Sequence, residues 1–215
     1  MTLRIYDRVT LIGLGLIASS MGHAMKAHGL AGTVTGHART EATRAAALEV
    51  GFCDAVFATA AEAVEGADLV VLAVPVGAMG AVAAEIGPHL KPGATVTDVG
   101  SVKQAVIEAV APHMPAGAHF IPGHPLAGTE HSGPRSGFAT LFQNRWCLLT
   151  PNGADPQAVA RLRALWQGMG ANVEEMDPAH HDLVLEVTSH TPHLIAYTMV
   201  GVADHLRRVT ESEII

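Results

Sequence analysis

The sequence predicts an α/β fold: a doubly wound, mostly parallel sheet, followed by the start of an all-helical second domain. Three observations carry this. The apolar stretch Thr10-Leu11-Ile12 runs into the turn Gly13-Leu14-Gly15-Leu16-Ile17-Ala18. From Thr40 to Met176 strand-like and helix-like segments alternate, as in parallel sheets covered by helices on both faces. After Met176 a single helical periodicity takes over. A Rossmann-like domain over 1–176 accounts for the first two. The third assigns 177–215 to the first long helix of a helical dimerisation or substrate domain that stops part-way.

In chain order, the opening strand ends at the glycine turn and a helix follows to about Gly29, then a short strand over Thr33 to Gly36. Gly13 lets the chain turn sharply, Gly15 lets backbone N–H groups approach a pyrophosphate, and Ala18 lets the helix lie close on its strand. The same turn without a ligand is the alternative. Glu41 to Val50 and Ala60 to Glu65 are helical, Asp68 to Val76 is a buried strand, and Gly77 to Ile86 is a helix. Ala94 to Val99, Ala118 to Pro122, Trp146 to Thr150 and Asn172 to Met176 read as strands; Val102 to Ala111 and Asp155 to Gly168 read as helices. Right-handed crossovers then place the strand ends Gly13, Gly36, Val74 and Gly100 along one ligand-binding edge.

A length of 215 residues with 49% hydrophobic content suits one ordinary domain plus part of another. The net charge of -7, with no Lys/Arg run, argues against nucleic acid. Cys53 and Cys147 have no metal-ligand spacing and read as core thiols in a reducing compartment. Arg4 and Arg8 before the apolar Val9 to Ile17 mimic a secretory leader, but Asp7 and the two glycines break that pattern. No apolar run is long enough for a bilayer. A cytoplasmic location is expected.

The end of the second strand bears on cofactor choice, because a carboxylate there would hold the ribose 2′-hydroxyl of NAD. Here it reads Gly36-His37-Ala38-Arg39-Thr40, with the first carboxylate, Glu41, already in the next helix. Arg39 beside Thr40 suits a 2′-phosphate, a lean towards NADP; stacking on adenine, or facing water, is the other use of Arg39. With the strand-end positions Leu16, Ile17, His37, Val74 and Pro75, these residues make up the expected cofactor surface. Ser101, after Asp98-Val99-Gly100, is placed to cap the next helix, and its hydroxyl also lies on the ligand edge. His124, between Gly123 and Pro125, sits just past a strand on stiff backbone and suits proton acceptance near neutral pH.

Four segments in this order and spacing resemble the prephenate/arogenate dehydrogenase family of tyrosine biosynthesis: Gly13-Leu14-Gly15-Leu16-Ile17-Ala18, Asp98-Val99-Gly100-Ser101-Val102-Lys103, Gly123-His124-Pro125-Leu126-Ala127-Gly128-Thr129-Glu130 and Ser189-His190-Thr191-Pro192-His193. The resemblance covers essentially the whole chain. It implies an NAD(P)-dependent oxidative decarboxylation in which hydride leaves the ring carbon bearing the hydroxyl, carbon dioxide departs and the ring becomes aromatic. His124 is then the catalytic histidine and Ser101 the residue that orients it. His190 and His193, one turn apart on the final helix with Pro192 kinking it, line the substrate pocket, joined by Thr129 and Glu130. No metal is implied, since two histidines lack a third ligand. His180 and His181 read as solvent-exposed.

The family's remaining helical region would ordinarily supply the dimer interface and an arginine for the substrate's side-chain carboxylate. Arg207 and Arg208 lie too far along the helix to replace it, so the chain reads as a fragment or as incomplete, and its last helix is expected to self-associate. Two other readings stay open: a β-hydroxyacid or imine reductase type of oxidoreductase, and a non-catalytic dinucleotide sensor in which the histidines are structural.

Overall fold

The computed structural model describes residues 4–210, and Glu213 to Ile215, where the sequence reading stops, lie outside them. The chain runs β1 (Tyr6–Ile12), α1 (Leu16–His28), β2 (Ala31–His37), α2 (Glu41–Val50), β3 (Ala55–Phe57), α3 (Ala60–Val64), β4 (Leu69–Leu72), α4 (Val76–Ile86), β5 (Thr95–Asp98), α5 (Gln104–Val110) and β6 (His119–Phe120). These strands form one parallel sheet in the order β3-β2-β1-β4-β5-β6. The predicted α/β architecture is the one observed. The strand order reverses between β1 and β4, which opens a crevice at their carboxyl ends.

Local chemistry explains the elements. α1 stops where Gly29 turns left-handed (φ 65°) and sends its N–H back to Lys26 and Met25. Thr59 and Glu62 form a reciprocal capping box on α3. β4 reads as an unbroken apolar run because both of its faces are covered. Leu69 and Val71 join the core shared with Met21, Met25 and Trp166, whereas Val70 and Leu72 join that of Met79, Ile86 and Val110. Along the ligand edge the ladder continues one step past the strands, through Gly13 N–H to the His37 carbonyl (2.9 Å) and Ala73 N–H to the Ile12 carbonyl (2.7 Å).

The structure departs from the sequence reading at several places. β3 was not foreseen, because three residues are too few to show alternation. The later strands do not extend the main sheet. β7 (Gly123–Pro125), β8 (Trp146–Leu149) and, after α6 (Pro156–Gly168), β9 (Asn172–Glu175) form a second sheet in which β7 and β8 are antiparallel and β8 and β9 parallel. His124 therefore lies on a strand, not in a loop.

The final helical stretch is also divided. α7 (Pro178–Leu185), capped by Asp177, packs on α5; a π-helical turn covers Glu186–His190; α8 (Thr191–Thr210) follows. Pro192 has no N–H to donate, and the widened turn falls immediately before it. Leu194, Tyr197, Met199, Val202 and Val209 on α8 are all exposed. No helix among the described residues is long and apolar enough to cross a membrane.

Candidate active site

The dinucleotide side of the crevice starts at Gly13, whose φ is +89° and whose Cβ, if present, would lie 2.4 Å from the Ala73 carbonyl oxygen. Only glycine closes this turn against β4. A Cβ on Gly15 would meet nothing within 4 Å, so that surface is open. The first turn of α1 has neither a side-chain cap nor an acidic residue, whereas Thr40, Thr59, Asp155 and Asp177 cap α2, α3, α6 and α7. Uncapped N–H groups beside an open glycine surface fit a pyrophosphate.

Leu16 and Ile17 open α1 beside this surface, and Val74 and Pro75 lead from β4 into α4. His37 ends β2 with Nδ1 3.1 Å from the Phe57 carbonyl. Arg39 is exposed, and the Arg44 guanidinium donates to the carbonyl of Ala38 (2.6 Å) and more weakly to that of Arg39 (3.3 Å). The Thr40 hydroxyl is engaged at the start of α2, bonded to the Thr43 hydroxyl at 2.7 Å. The loop after β2 thus carries one cation, Arg39, with Arg44 of α2 bonded to its carbonyls, and no carboxylate before Glu41.

A second opening, a cavity of about 630 Å³, is lined by Ser101, His124, Arg145, Ser189, His190 and His193 among others. The structure brings together four of the predicted residues: Ser101, His124, His190 and His193. Thr129 and Glu130 do not line it; the Thr129 hydroxyl accepts from His131 N–H and Glu130 pairs with the His131 ring at the exposed loop. Ser101 is exposed in the cavity wall and does not cap α5. That role falls to Asp182, whose carboxylate accepts from Lys103 N–H (2.7 Å) and Gln104 N–H (2.9 Å). A carboxylate is the stronger acceptor at a helix start.

His124 is held from two directions. Behind it, the fully buried Asp98–Lys103 ion pair grips the preceding residue, the carboxylate taking Gly123 N–H (3.2 Å) and the Lys103 amine donating to the Gly123 carbonyl (2.6 Å). Burial pushes the Asp98 carboxyl up and the Lys103 amine down, while their mutual attraction and the Gly100 and Gly123 N–H groups oppose those shifts.

Beside it, Nδ1 of His124 lies 3.0 Å from Nε2 of His181, and Nδ1 of His181 lies 2.8 Å from the Asp182 carboxylate. His181 is completely buried, contrary to the exposed position expected of it; His180 is exposed. The first turn of α7 turns His181 inward onto β7 while Asp182 reaches α5.

This chain of bonds assigns the tautomers. A carboxylate accepts only, so His181 Nδ1 carries its proton and its Nε2 is an acceptor. His124 then donates from Nδ1, which leaves Nε2 with a free lone pair. Burial, with the charges of Lys103, His181 and His190, pushes His124 down to about 3. Burial also lowers His181, against the pull of Asp182. Burial raises Asp182, but the Gln104 and Lys103 N–H groups and the His181 ring outweigh it and hold the carboxyl below its ordinary value. The result is a neutral, oriented imidazole backed by an ionised carboxylate.

Sequence reasoning missed His181, Asp182, Lys103 and Arg145 as contributors. Lys103 stood in the segment Asp98 to Lys103 without a role assigned to it, and nothing local linked the adjacent His181-Asp182 pair to His124. Cys53 and Cys147 are both buried, with thiols pushed up by burial, that of Cys53 to about 12. No group of three or more metal-ligating side chains comes together among the described residues.

Comparison with known proteins places these features in context. Residues 21–175 match the family model of the prephenate dehydrogenase nucleotide-binding domain. The chain is 42% identical to a cyclohexadienyl dehydrogenase of Zymomonas mobilis, over 98% of this chain and 72% of that protein. It is 34% identical to a prephenate dehydrogenase of Bacillus subtilis over 93% of this chain, and spans only 54% of that relative. Among solved structures it resembles the prephenate dehydrogenase of A. aeolicus in complex with hydroxyphenyl propionate and NAD+, with a TM-score of 0.86 and 29% identity, covering 93% of this chain and 70% of that one. Synechocystis arogenate dehydrogenase gives 0.82 at 29% identity, over 91% and 69% of the two chains.

Proposed function

The chain belongs to the prephenate dehydrogenase family, and from that premise and the geometry of the pocket we propose that it carries out the NAD(P)+-dependent oxidative decarboxylation of prephenate or arogenate, yielding 4-hydroxyphenylpyruvate or tyrosine. The observation that carries this reading is the Asp182–His181–His124 chain, which ends in a free imidazole lone pair facing a cavity beside the dinucleotide edge.

The uncapped N–H groups at the start of α1 and the open surface at Gly15 would hold NAD(P)+, which would supply a hydride acceptor for the ring carbon that bears the hydroxyl. His124 Nε2 takes the hydroxyl proton as that carbon becomes a carbonyl. The positive charge on His124 is shared through its Nδ1–H with His181, and Asp182 stabilises it from the far end. The bond to the departing carboxyl then breaks, its electron pair enters the ring, and carbon dioxide leaves. The carbonyl oxygen becomes a phenol by recovering the proton from His124, so the proton balance closes. Aromatisation supplies the driving force. Ser101, in the same wall, orients the hydroxyl, and His190 and His193 border the substrate.

The free Arg39 guanidinium, the Arg44 cation beneath the same loop and the absence of a carboxylate before Glu41 support NADP+ as the preferred cofactor. The exposed apolar side chains of α8 support assembly as a homodimer through a helical domain that begins at 177, behind a cofactor-binding domain over 1–176. Two free, buried cysteines support a cytoplasmic setting. The test is the absorbance at 340 nm when the protein is given prephenate, then arogenate, each with NAD+ and with NADP+. Cofactor reduction with one of these pairs is expected; none, despite cofactor binding, refutes the reading.

A further inference from the structure

Ser101 and His124 stand on separate segments, after β5 and on β7, and one carboxylate reaches both. Ser101 lies between two pinned N–H groups: Gly100 N–H donates to the Asp98 carboxylate (2.7 Å) and Lys103 N–H to Asp182 Oδ1 (2.7 Å). The same Oδ1 accepts from Nδ1 of His181 (2.8 Å), and Nε2 of that ring meets Nδ1 of His124 (3.0 Å). Asp182 Oδ2 takes Gln104 N–H (2.9 Å).

Capping α5 does not by itself call for this arrangement. Other helices are capped by the residue that precedes them, α2 by Thr40 and α3 by Thr59. The cap of α5 comes instead from α7, 79 residues further along the chain, and the Ser101 hydroxyl is not spent on the helix. Three donors converge on the Asp182 side chain, which suits a carboxylate because it accepts only and has room for about four hydrogen bonds.

A neutral amide in its place shows what the carboxylate does. With its oxygen in the Oδ1 position, the bonds to Lys103 N–H and His181 survive, but Gln104 N–H meets an N–H and the negative charge behind the imidazoles is gone. With its nitrogen there, the amide opposes Lys103 N–H and donates to His181 Nδ1. His181 then carries its proton on Nε2 and donates to His124 Nδ1, so the His124 proton moves to Nε2. The base becomes a donor.

Resting on the activity proposed above, we infer that Asp182 is the positioning residue that holds Ser101 and His124 as one unit. Its Oδ1 fixes the loop that carries the serine and, through His181, the side of the imidazole that bears the lone pair. The two groups depend on each other through it. A shifted Ser101 offers the substrate hydroxyl to no base, and an imidazole with its proton on Nε2 leaves Ser101 nothing to orient the hydroxyl towards.

The experiment measures kcat and KM at 340 nm for the unmutated protein, Asp182→Asn, Asp182→Glu, Ser101→Ala and the double variant of Asp182→Asn with Ser101→Ala. Asp177→Ala, which removes the cap at the start of α7, is the control for lost helix stability. Asp182→Asn should lower kcat by about 10²- to 10⁴-fold while NADP+ binding holds, and Asp182→Glu, which keeps the charge, should recover part of the loss. Ser101→Ala should cost about tenfold in the unmutated protein and less than about threefold on top of Asp182→Asn. Losses that multiply in the double variant overturn the inference, as does a fall in Asp177→Ala equal to that in Asp182→Asn. Nitrogen-15 NMR of the unmutated protein needs neither turnover nor a variant that folds. It should find His124 and His181 protonated on Nδ1 with both Nε2 atoms bare, and a proton on His124 Nε2 overturns the inference. No turnover by the unmutated protein with either substrate, with those nitrogen signals as expected, refutes the activity and not the direction of the protons.

Discussion

Replacing His124 with asparagine should change how the stability of the protein depends on pH. In the folded protein burial holds this imidazole neutral, lowering it from 6.5 to about 3. The unfolded chain therefore takes up a proton first as the pH falls. His124 costs the fold almost nothing at pH 7, and its penalty grows through 6.5 until the folded imidazole itself protonates near 3. At pH 4 the gap from 6.5 corresponds to about 3 kcal/mol of lost stability. Asparagine keeps an N–H to donate to His181 Nε2 and does not titrate, so carboxylates and the other histidines contribute alike in both proteins. Urea unfolding followed by fluorescence, with the buried Trp166 as a reporter, should show the unmutated protein losing about 3 kcal/mol more than His124→Asn between pH 7 and pH 4. Equal losses would mean that His124 is not held neutral. The reasoning that makes its Nε2 a proton acceptor would fall with it.

The same substitution should lower turnover by about 10²- to 10⁴-fold while dinucleotide binding survives; near-normal turnover at 340 nm removes His124 from the mechanism. Arg39→Ala should weaken NADP+ by about ten- to a hundredfold and leave NAD+ unaffected, a comparison fluorescence titration makes directly; equal affinities for the two in the unmutated protein exclude the preference. Lys103→Met should destabilise the fold by about 3–5 kcal/mol because it strands the buried Asp98 carboxylate, and adding Asp98→Asn should recover part of that loss in urea unfolding. Sizing at high concentration should find a self-associated species, since the apolar side chains of α8 are exposed among the described residues; a clean monomer contradicts assembly through this helix.

Much was legible in the sequence because its causes are local. Gly13 and Gly15 were readable since a left-handed turn and an open anion-facing surface demand glycine whatever lies elsewhere in the chain. β4 was readable because burial on both faces erases alternation, and the helical stretch after Met176 was readable from its periodicity. The order of motifs led as far as His124, Ser101, His190 and His193. Four features were decided only in three dimensions: the second sheet that makes His124 a strand residue, the contact of His124 with His181, the capping of α5 by Asp182, and Arg145 in the cavity. Each joins residues far apart in the chain, and their roles depend on what packs against them. A histidine in the first turn of α7 has the same local sequence whether it meets water or another imidazole. The choice is made when α7 docks on α5 and β7, where burial removes the water and leaves the His124 imidazole and the Asp182 carboxylate as the hydrogen-bond partners of its ring among the described residues.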